Sequence, residues 1–446
     1  FKNENNLVKN ISYRELYDLV EKVSSALRCI GIKSGDRIAG FMPNIPETVI
    51  SMLATSSIGG IWSSSSPDFG IKGVLDRFQQ IKPKVLFVTN GYYYNGKQYN
   101  LIKKINAIVK ELPSLEKVVV IPYSNNNFEI SKVFKGITWD DFISGNSSPL
   151  VFDQLPFDHP LYIMYSSGTT GLPKSIVHGA GGTLIQHLKE LRLHTNITID
   201  DTIFYFTTCG WMMWNWLISN LAIGATIVLY DGNPFYPDPN VMWDMVDEFK
   251  ITHFGTSAKF IDACKQENLA PISSHSLKSM KIILSTGSPL IEESYDYVYK
   301  KIKADVQLSS ISGGTDIISC FAGGNPILPV YRGEIQCRGL GMGVKSFDSD
   351  GKSLLNHKGE LVCTKPFPSM PIYFWNDQDN EKYNNAYFKK FPGIWNHGDF
   401  ILINKHGGVQ IFGRSDATLN PGGVRIGTAE IYRIVESFDK IEDSLV

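Results

Sequence analysis

This sequence lacks the features that mark secreted, membrane-spanning or nucleic-acid-binding proteins. Its 446 residues contain only six cysteines, scattered without any C-x-x-C pair, which predicts buried thiols of a reducing compartment rather than disulfides or a zinc site. No apolar run is long enough to cross a bilayer, because asparagines and glycines interrupt the longest apolar region, 204–229. The net charge of -1 at pH 7 gives no overall field that would attract nucleic acid or an anionic membrane surface.

Two common nucleotide-binding motifs are also absent. A Walker A loop needs a glycine directly before its lysine, and Pro173 stands in that place before Lys174. The glycine-rich stretch 179–182 lacks the spacing of a dinucleotide-binding fingerprint. These two differences argue against a P-loop NTPase and against a Rossmann dehydrogenase.

What the chain does have is a loop dense in hydroxyl groups. Residues 166–171 contain four hydroxyl side chains and two glycines, and Lys174 follows shortly after. The preceding residues, 161–165, are apolar and predict a buried strand. Backbone N–H groups, hydroxyl donors and one cation at a strand end are suited to holding a polyphosphate. The alternative is an ordinary turn rich in glycine and threonine, which this density of hydroxyls disfavours.

The rest of the chain predicts a capped first helix, then alternating strands and helices, then antiparallel strands. Ser12 and Glu15 form a capping box at the start of a helix that we expect to end near Gly31. Short apolar strands then alternate with helices up to about residue 330, which predicts parallel sheets covered by helices. Beyond that point glycines become frequent, and 333–336, 359–362 and 408–411 predict antiparallel strands. The expected units are an incomplete N-terminal αβ subdomain (1–160), a second αβ subdomain with the phosphate loop (161–330), a β-rich subdomain (331–413), and a hinge with the start of a C-terminal lid (414–446).

The loop 166–174 is similar to the S/T-S-G-S/T-T-G-x-P-K signature of the adenylate-forming superfamily, which includes acyl-CoA synthetases, luciferases and the adenylation domains of peptide synthetases. The stretches 174–183, 210–216, 309–318 and 391–399 most resemble the branch that ligates acetoacetate to coenzyme A. The resemblance implies an α/β fold of two stacked αβ sheet subdomains and a β-rich subdomain, with the C-terminal lid mostly absent. It places the active site in the cleft where the three subdomains meet. Because the chain starts at Phe1 rather than Met and stops at Val446 just after the start of a predicted helix, we expect sequence to be missing at both ends.

The family's reaction has two halves. ATP and a carboxylic acid give an acyl-adenylate and pyrophosphate, and coenzyme A then displaces AMP to form a thioester. The expected substrates are therefore ATP, acetoacetate and coenzyme A, with Mg²⁺ as the metal and the cytosol as the location. An acetyl or other short-chain acyl-CoA synthetase and a non-catalytic nucleotide-binding protein of the same fold remain alternatives. The lysine that would decide catalytic competence is expected beyond Val446.

The resemblance assigns a role to residues in each motif. The expected catalytic residues are Thr169, Lys174, Thr315, Asp316 and Arg414. Asp316 also helps to hold Mg²⁺, in a place where most relatives have glutamate; its alternative role is an Asx turn. Asp399 accepts hydrogen bonds from both ribose hydroxyls, and Asp416 is the hinge of the lid. The remaining nucleotide contacts are expected at Ser166, Ser167, Gly168, Thr170, Gly171, Gly287, Ser288, Pro289, Ser310 and Arg425, the last with a surface ion pair to Glu430 as its alternative.

The acyl pocket is expected at Trp211, Met213, Thr286 and Gly313. Acetyl-CoA synthetases close this pocket with a Trp-Gln-Thr-Glu run, and the resemblance aligns Gly313 with its tryptophan. A missing indole frees the volume of a side chain, which fits a four-carbon keto acid better than acetate. Gly313→Trp should therefore favour acetate. Ser312, Thr256 or Ser257 are candidate donors to the keto oxygen, and core packing is the alternative for Trp214 and Trp216.

Overall fold

The computed structural model describes residues 1–124, 128–145, 148–166 and 172–415, together with the strands Thr418–Leu419 and Ile426–Gly427. Its first helix, Tyr13–Cys29, begins where the sequence predicts. The Ser12 side chain accepts a hydrogen bond from the backbone N–H of Glu15 at 3.2 Å, and the Glu15 carboxylate accepts one from the Ser12 N–H at 2.7 Å. The capping box is confirmed, so local sequence alone starts this helix.

The largest sheet has eight strands and lies in the N-terminal part of the chain. Its parallel strands are Arg37–Phe41, Ile61–Ser65, Val85–Thr89, Lys117–Ile121, Gly136–Thr138 and Pro160–Ser166. Lys174–Gly179 and Tyr373–Phe374 extend it in antiparallel pairing. The connecting helices are Pro46–Ser57, Ile71–Ile81, Ile102–Lys110 and Trp139–Ile143, with a short 3-10 turn at Ile130–Lys132.

Both strands that flank the phosphate loop thus belong to the N-terminal sheet, which differs from the predicted subdomain boundary at residue 160. Tyr162 is the register partner of Trp62, and Ser166 is the partner of Lys174 across the loop. The apolar run before the loop marks a strand, but the strand's partner lies a hundred residues away. Local pattern cannot specify such a partner, because register depends on which face is buried in the finished sheet.

The second sheet has five parallel strands in the order Thr226–Val228, Thr202–Tyr205, His253–Ser257, Ile282–Thr286 and Gln307–Ser310. Its outer helices are Val241–Glu248, Ala258–Gln266, Pro271–Ser274 and Glu292–Tyr297, the last continued by a π-helical turn at Val298–Ile302. The layer between the two large sheets contains the π-helical turn Glu190–His194, Met212–Ile218 and the 3-10 turn Ser219–Ile223, and helix Ala180–Lys189 leads into it. A single buried cluster joins Trp62 and Phe87 of the first sheet to Tyr205 and Leu284 of the second, so the sheets are stacked layers, as predicted.

The β-rich part follows the second sheet. A three-stranded antiparallel sheet contains Ser312–Gly314, Ser319–Gly323 and Cys337–Arg338, and a five-stranded one contains Ser353–Leu354, Val344–Phe347, Gly359–Cys363, Trp395–Ile403 and Val409–Arg414. Helix Glu381–Tyr387 packs against the five-stranded antiparallel sheet. The predicted strands near 359 and 408 are confirmed, whereas the prediction for 333–336 is wrong: Ile335 forms only an isolated bridge to Val409.

The remaining strands are small. Lys2–Asn3 pairs in parallel with Tyr230–Asp231, Gly91–Tyr94 forms a hairpin with Lys97–Asn100, and Thr418–Leu419 pairs with Ile426–Gly427.

In the described part of the chain, no helix combines the length and the apolar composition needed to cross a membrane. All six cysteines are free thiols, as predicted, but only four of them are buried: Cys29 is exposed and Cys337 is partly buried.

A buried carboxylate at the amino ends of the second sheet's strands predicts a pH dependence of stability. The Asp201 side chain is 1% exposed and lies 2.7 Å from Lys281 Nζ. Burial alone would raise the pKa of Asp201, but the Lys281 ammonium and hydrogen bonds from Thr198 lower it to about 2. Because the folded pKa is depressed, Asp201→Asn should destabilise the protein at neutral pH. This difference should vanish as pH falls from about 4, the unfolded pKa, towards 2.

Denaturant unfolding of the wild-type protein and the Asp201→Asn variant at several pH values measures this effect. Asp244→Asn is the control, since Asp244 pairs with His275 but has a side chain that is 60% exposed. A destabilisation by Asp201→Asn that does not change with pH would contradict the prediction.

Candidate active site

Lys174 and Asp316 meet at the junction of the three sheet systems. Lys174 starts a strand of the N-terminal sheet, and Asp316 lies in the turn between Ser312–Gly314 and Ser319–Gly323. The Lys174 ammonium lies 3.0 Å from Asp316 Oδ1, and the Tyr387 hydroxyl donates a hydrogen bond to the same oxygen at 2.6 Å. The ion pair therefore joins the strand that follows the phosphate loop to the predicted metal-binding residue.

The environment of Asp316 keeps its carboxyl group ionised. The side chain is 1% exposed, and burial alone would raise its pKa. The Lys174 ammonium and the Tyr387 hydroxyl outweigh burial, so the pKa of Asp316 lies well below its usual range. Lys174 Nζ also lies 5.3 Å from the Tyr387 ring centroid, and that ring stacks on Trp395 at 3.8 Å. A stacked aromatic wall therefore orients the cation.

Thr315 is held by a histidine to which the sequence reasoning assigned no role. His178 Nε2 lies 3.0 Å from the carbonyl oxygen of Thr315, and the His178 ring is buried. Since burial lowers the pKa of His178 to about 3, its imidazole is neutral, and Nε2 must carry the proton that it donates to the carbonyl. Lys174 and His178 are four residues apart on one strand and thus share a face, which is the sequence signal that could have identified His178.

Asp399 and Arg414 form the second charged pair of the site. Arg414 Nη1 donates to Asp399 Oδ1 at 3.1 Å and to the His397 carbonyl at 3.2 Å. Both side chains are largely buried, with 11% of Asp399 and 8% of Arg414 exposed. His397 brings this pair close to the Thr315 turn, because a Cβ atom on Gly314 would lie 3.7 Å from its Nε2 atom. Two predicted site residues far from Asp316 in sequence are thus its spatial neighbours.

The predicted adenine-binding segment lies at the carboxyl ends of the second sheet. Thr286 ends its strand and donates its hydroxyl to the Ile311 carbonyl at 2.8 Å. Gly287 follows with φ of +99°, a backbone conformation that glycine adopts without a steric penalty, and Ser288 and Pro289 come next. Ser310 ends the neighbouring strand, where the register pairs it with Ser285. Ligands of such sheets bind at these ends.

Gly313 does not open space in an acyl pocket, so this prediction is wrong. A Cβ atom on Gly313 would lie 2.0 Å from the Ser319 carbonyl oxygen and 2.5 Å from the Cys320 Cα atom. The position therefore faces the backbone of the neighbouring strand instead of an open pocket, and a register shift between Ser312 and Gly313 sets this direction. Gly313→Trp would break the hairpin rather than refill an acyl pocket.

Free space lies nearby, beside Met213. This residue is 3% exposed and lines a cavity of about 20 Å³ together with Ile311 and Cys320. Trp211 is half-buried at the start of the same helix, with its ring centroid 6.0 Å from that of Tyr205. Trp214 and Trp216 are buried in the common core, which confirms the packing interpretation for both.

Some predicted residues lie outside the described part of the chain. Ser166 is buried at the end of its strand, and its hydroxyl has no hydrogen-bond partner among the described residues. The predicted residues outside the described ranges are Ser167, Gly168, Thr169, Thr170, Gly171, Asp416 and Arg425.

A family model described as AMP-binding enzyme matches residues 5–374. This chain belongs to the AMP-binding enzymes. The enzyme is 55% identical over 445 residues to the acetoacetyl-CoA synthetase of Gallus gallus, an alignment that covers 98% of this chain and 67% of that protein. It is 54% identical over 447 residues to the acetoacetyl-coenzyme A synthetase of Rhizobium meliloti (strain 1021), covering 100% of this chain and 68% of that protein.

A solved structure is also similar to this AMP-binding enzyme. Acetoacetyl-CoA synthetase from Streptomyces lividans matches with a TM-score of 0.89 and 43% identity, covering 99% of this chain and 68% of that one. The chain thus spans about two thirds of the length of these relatives. The resemblance to the adenylate-forming superfamily, to its acetoacetate branch and to its fold is confirmed.

The two adjacent glycines of this AMP-binding enzyme give a matched test of the Thr315 turn. Gly313→Ala should destabilise the protein by about 1–3 kcal/mol, because its new methyl group must displace strand backbone. Gly314→Ala should be tolerated, since its methyl group would only touch the His397 ring. Thermal unfolding of both variants measures the difference, and equal stability would contradict the assigned direction of residue 313.

Proposed function

We propose that this chain is the larger part of an ATP-dependent acid–thiol ligase that joins acetoacetate to coenzyme A and releases AMP and pyrophosphate. The observation that carries the proposal is the buried Lys174–Asp316 ion pair, with the Asp399–Arg414 pair beside it in one cleft. Relatives 54–55% identical to the chain, named acetoacetyl-CoA synthetases, support the choice of acid. These relatives disfavour the two alternatives, an acetyl or short-chain acyl-CoA synthetase and a non-catalytic nucleotide-binding protein.

Formation of the acyl-adenylate brings two anions together. A carboxylate oxygen attacks the α-phosphorus of ATP, the new P–O bond forms, and the bond to pyrophosphate breaks. Positive charge must therefore be fixed around the phosphates before the reaction starts. Lys174 can supply it, since its side chain is still 26% exposed while it pairs with Asp316. Thr315, next to Asp316, is proposed to contact the α-phosphate, and the hydroxyl groups of the loop 166–171 are proposed to hold the β- and γ-phosphates.

The residues present fit Mg²⁺ as the metal. No group of three or more histidine, cysteine or acidic side chains gathers in the described part of the chain, so a cage made only of protein ligands is not available there. Mg²⁺ bound with a nucleotide needs only one or two carboxylates, because phosphate and water oxygens complete its shell. Asp316 would hold the ion, which would neutralise part of the phosphate charge. Its ionised state supports this role.

The remaining nucleotide contacts follow from acceptor geometry. One carboxylate has two oxygens and can accept hydrogen bonds from two adjacent ribose hydroxyls, which suits Asp399. Arg414 orients that carboxylate through its 3.1 Å contact and is proposed to contribute positive charge at the phosphates. The residues proposed to surround adenine are Gly287, Ser288, Pro289 and Ser310.

A cytosolic location is also proposed, with the six free thiols as support.

The acid substrate is proposed to bind between Trp211 and Met213. The cavity of about 20 Å³ beside Met213, Ile311 and Cys320 has room for about one water, so the named relatives, and not a pocket volume, support acetoacetate as the acid. Release of AMP by the full-length protein should be much faster with acetoacetate than with acetate. A strong preference for acetate would overturn the assignment of the acid but not of the reaction class.

Removal of the phosphate cation tests the reaction class. Lys174→Ala should lower kcat/KM for ATP by about 10²–10³-fold, because positive charge at the phosphates is lost in the transition state. Lys281→Ala is the matched control, since Lys281 also pairs with a carboxylate that is 1% exposed, that of Asp201. This pair lies at the amino ends of the second sheet's strands, away from the carboxyl ends. Pyrophosphate release measures both variants. If Lys174→Ala retains wild-type activity, Lys174 does not act on the phosphates.

A further inference from the structure

Three side chains of one strand–helix unit hold the hairpin that carries Thr315 and Asp316. This Thr315 hairpin consists of Ser312–Gly314, Ser319–Gly323 and the turn between them. The side chains are His178, at the end of the strand that starts with Lys174, and His187 and Glu190 in the helix that follows. The same unit thus supplies both the phosphate lysine and three contacts to the turn opposite it.

The contacts follow one another along the hairpin. His178 Nε2 binds the Thr315 carbonyl at 3.0 Å, and His187 Nε2 binds the Ile318 carbonyl at 2.5 Å. The Glu190 carboxylate accepts a short hydrogen bond from the Ser319 hydroxyl and a longer one, at 3.4 Å, from the Cys320 N–H. The turn is therefore held on both sides of Asp316.

The protonation states agree with these contacts. Burial lowers the pKa of both His178 and His187, so each ring is neutral and donates through a single N–H group. Burial alone would raise the pKa of Glu190, but the Lys189 ammonium and the Ser319 hydroxyl lower it below its ordinary value. The indole N–H of Trp216 donates to its other oxygen at 3.0 Å, which links the hairpin to the helix that starts after Trp211.

The turn needs support from outside because its own geometry is strained. Ile318 has φ of +47°, a conformation that is unfavourable for a β-branched residue. The turn's internal hydrogen bonds, from Ile317 to Gly314 and from Ile318 to Thr315, are both 3.2 Å long. A strained residue persists only where surrounding contacts determine its position, and His187 binds the carbonyl of this very residue.

We propose that His178, His187 and Glu190 are positioning residues that hold Thr315 and Asp316 in reach of Lys174, with His178 acting most directly. The inference rests on the proposed function, in which Asp316 helps to hold Mg²⁺. If the three contacts only stabilised the fold, their loss would lower stability without changing the metal requirement. If they position Asp316, their loss should raise the Mg²⁺ concentration needed for ATP binding.

The chain offers a matched control in His194. This ring is also buried and also bridges to neighbouring backbone, through the Gly324 carbonyl at 2.7 Å and the Leu340 N–H at 2.9 Å. Both contacts lie beyond the second strand of the Thr315 hairpin, away from Asp316. A phenylalanine at either position removes the hydrogen bonds and keeps an aromatic ring.

The experiment is a titration of ATP binding with Mg²⁺ by calorimetry, in full-length protein carrying His178→Phe or His194→Phe. His178→Phe should raise the half-saturating Mg²⁺ concentration by about tenfold, a usual cost of losing a group that orients a metal ligand. His178→Gln, whose amide can still donate to the Thr315 carbonyl, should recover part of this loss. His194→Phe should lower the thermal midpoint and leave the Mg²⁺ requirement unchanged.

An unchanged Mg²⁺ requirement in His178→Phe, or an equal rise in His194→Phe, would overturn the inference. If His178→Phe does not fold, His187→Gln provides the same test, with a raised Mg²⁺ requirement as the supporting result and an unchanged one as the contradicting result. A wild-type protein that binds no ATP at any Mg²⁺ concentration would instead overturn the proposed function, and the inference with it.

Discussion

The site depends on one buried ion pair, Lys174–Asp316. A carboxylate that is 1% exposed is costly unless a charge partner and hydrogen bonds compensate for lost hydration, and Lys174 and Tyr387 provide both. Removal of either charge would leave the other without its compensation. Because the pair links the strand after the phosphate loop to the turn of another sheet, it also fixes the relative position of the two elements that the proposed chemistry needs together.

The layers around the pair explain why it can form. The stacked parallel sheets direct their strand ends towards the cleft, and the antiparallel β-rich sheet adds Asp399 and Arg414 from the other side. The helix between the sheets carries His187 and Glu190, which hold the strained turn after Asp316. Strands thus supply Lys174, Asp399 and Arg414, and the turn supplies Asp316. Contacts from the surroundings hold the strained residue Ile318 in that turn.

Much of the fold follows from local patterns. The capping box at Ser12, the parallel αβ texture and the strands at 359–363 and 409–414 agree with the prediction because short-range periodicity and capping determine them. Motifs predicted Lys174, Asp316, Asp399 and Arg414 as site residues, and the structure places these four side chains near one another. The motifs gave no role to His178 or Tyr387. Sharing a strand face with Lys174 is a signal for His178, but only the tertiary structure shows its contact with the Thr315 carbonyl and that of Tyr387 with Asp316.

The sequence by itself determined the family, because the hydroxyl-rich loop with Pro173 before Lys174 specifies a type of chemistry through residue identity alone. Tertiary structure decided which sheet holds that loop, which carbonyl His178 binds and where Gly313 points. The register shift between Ser312 and Gly313 turns residue 313 towards the backbone of the neighbouring strand. No local sequence pattern indicates such a shift. The direction in which Gly313 faces is therefore a property of how the Thr315 hairpin pairs, which the identity of the glycine does not indicate.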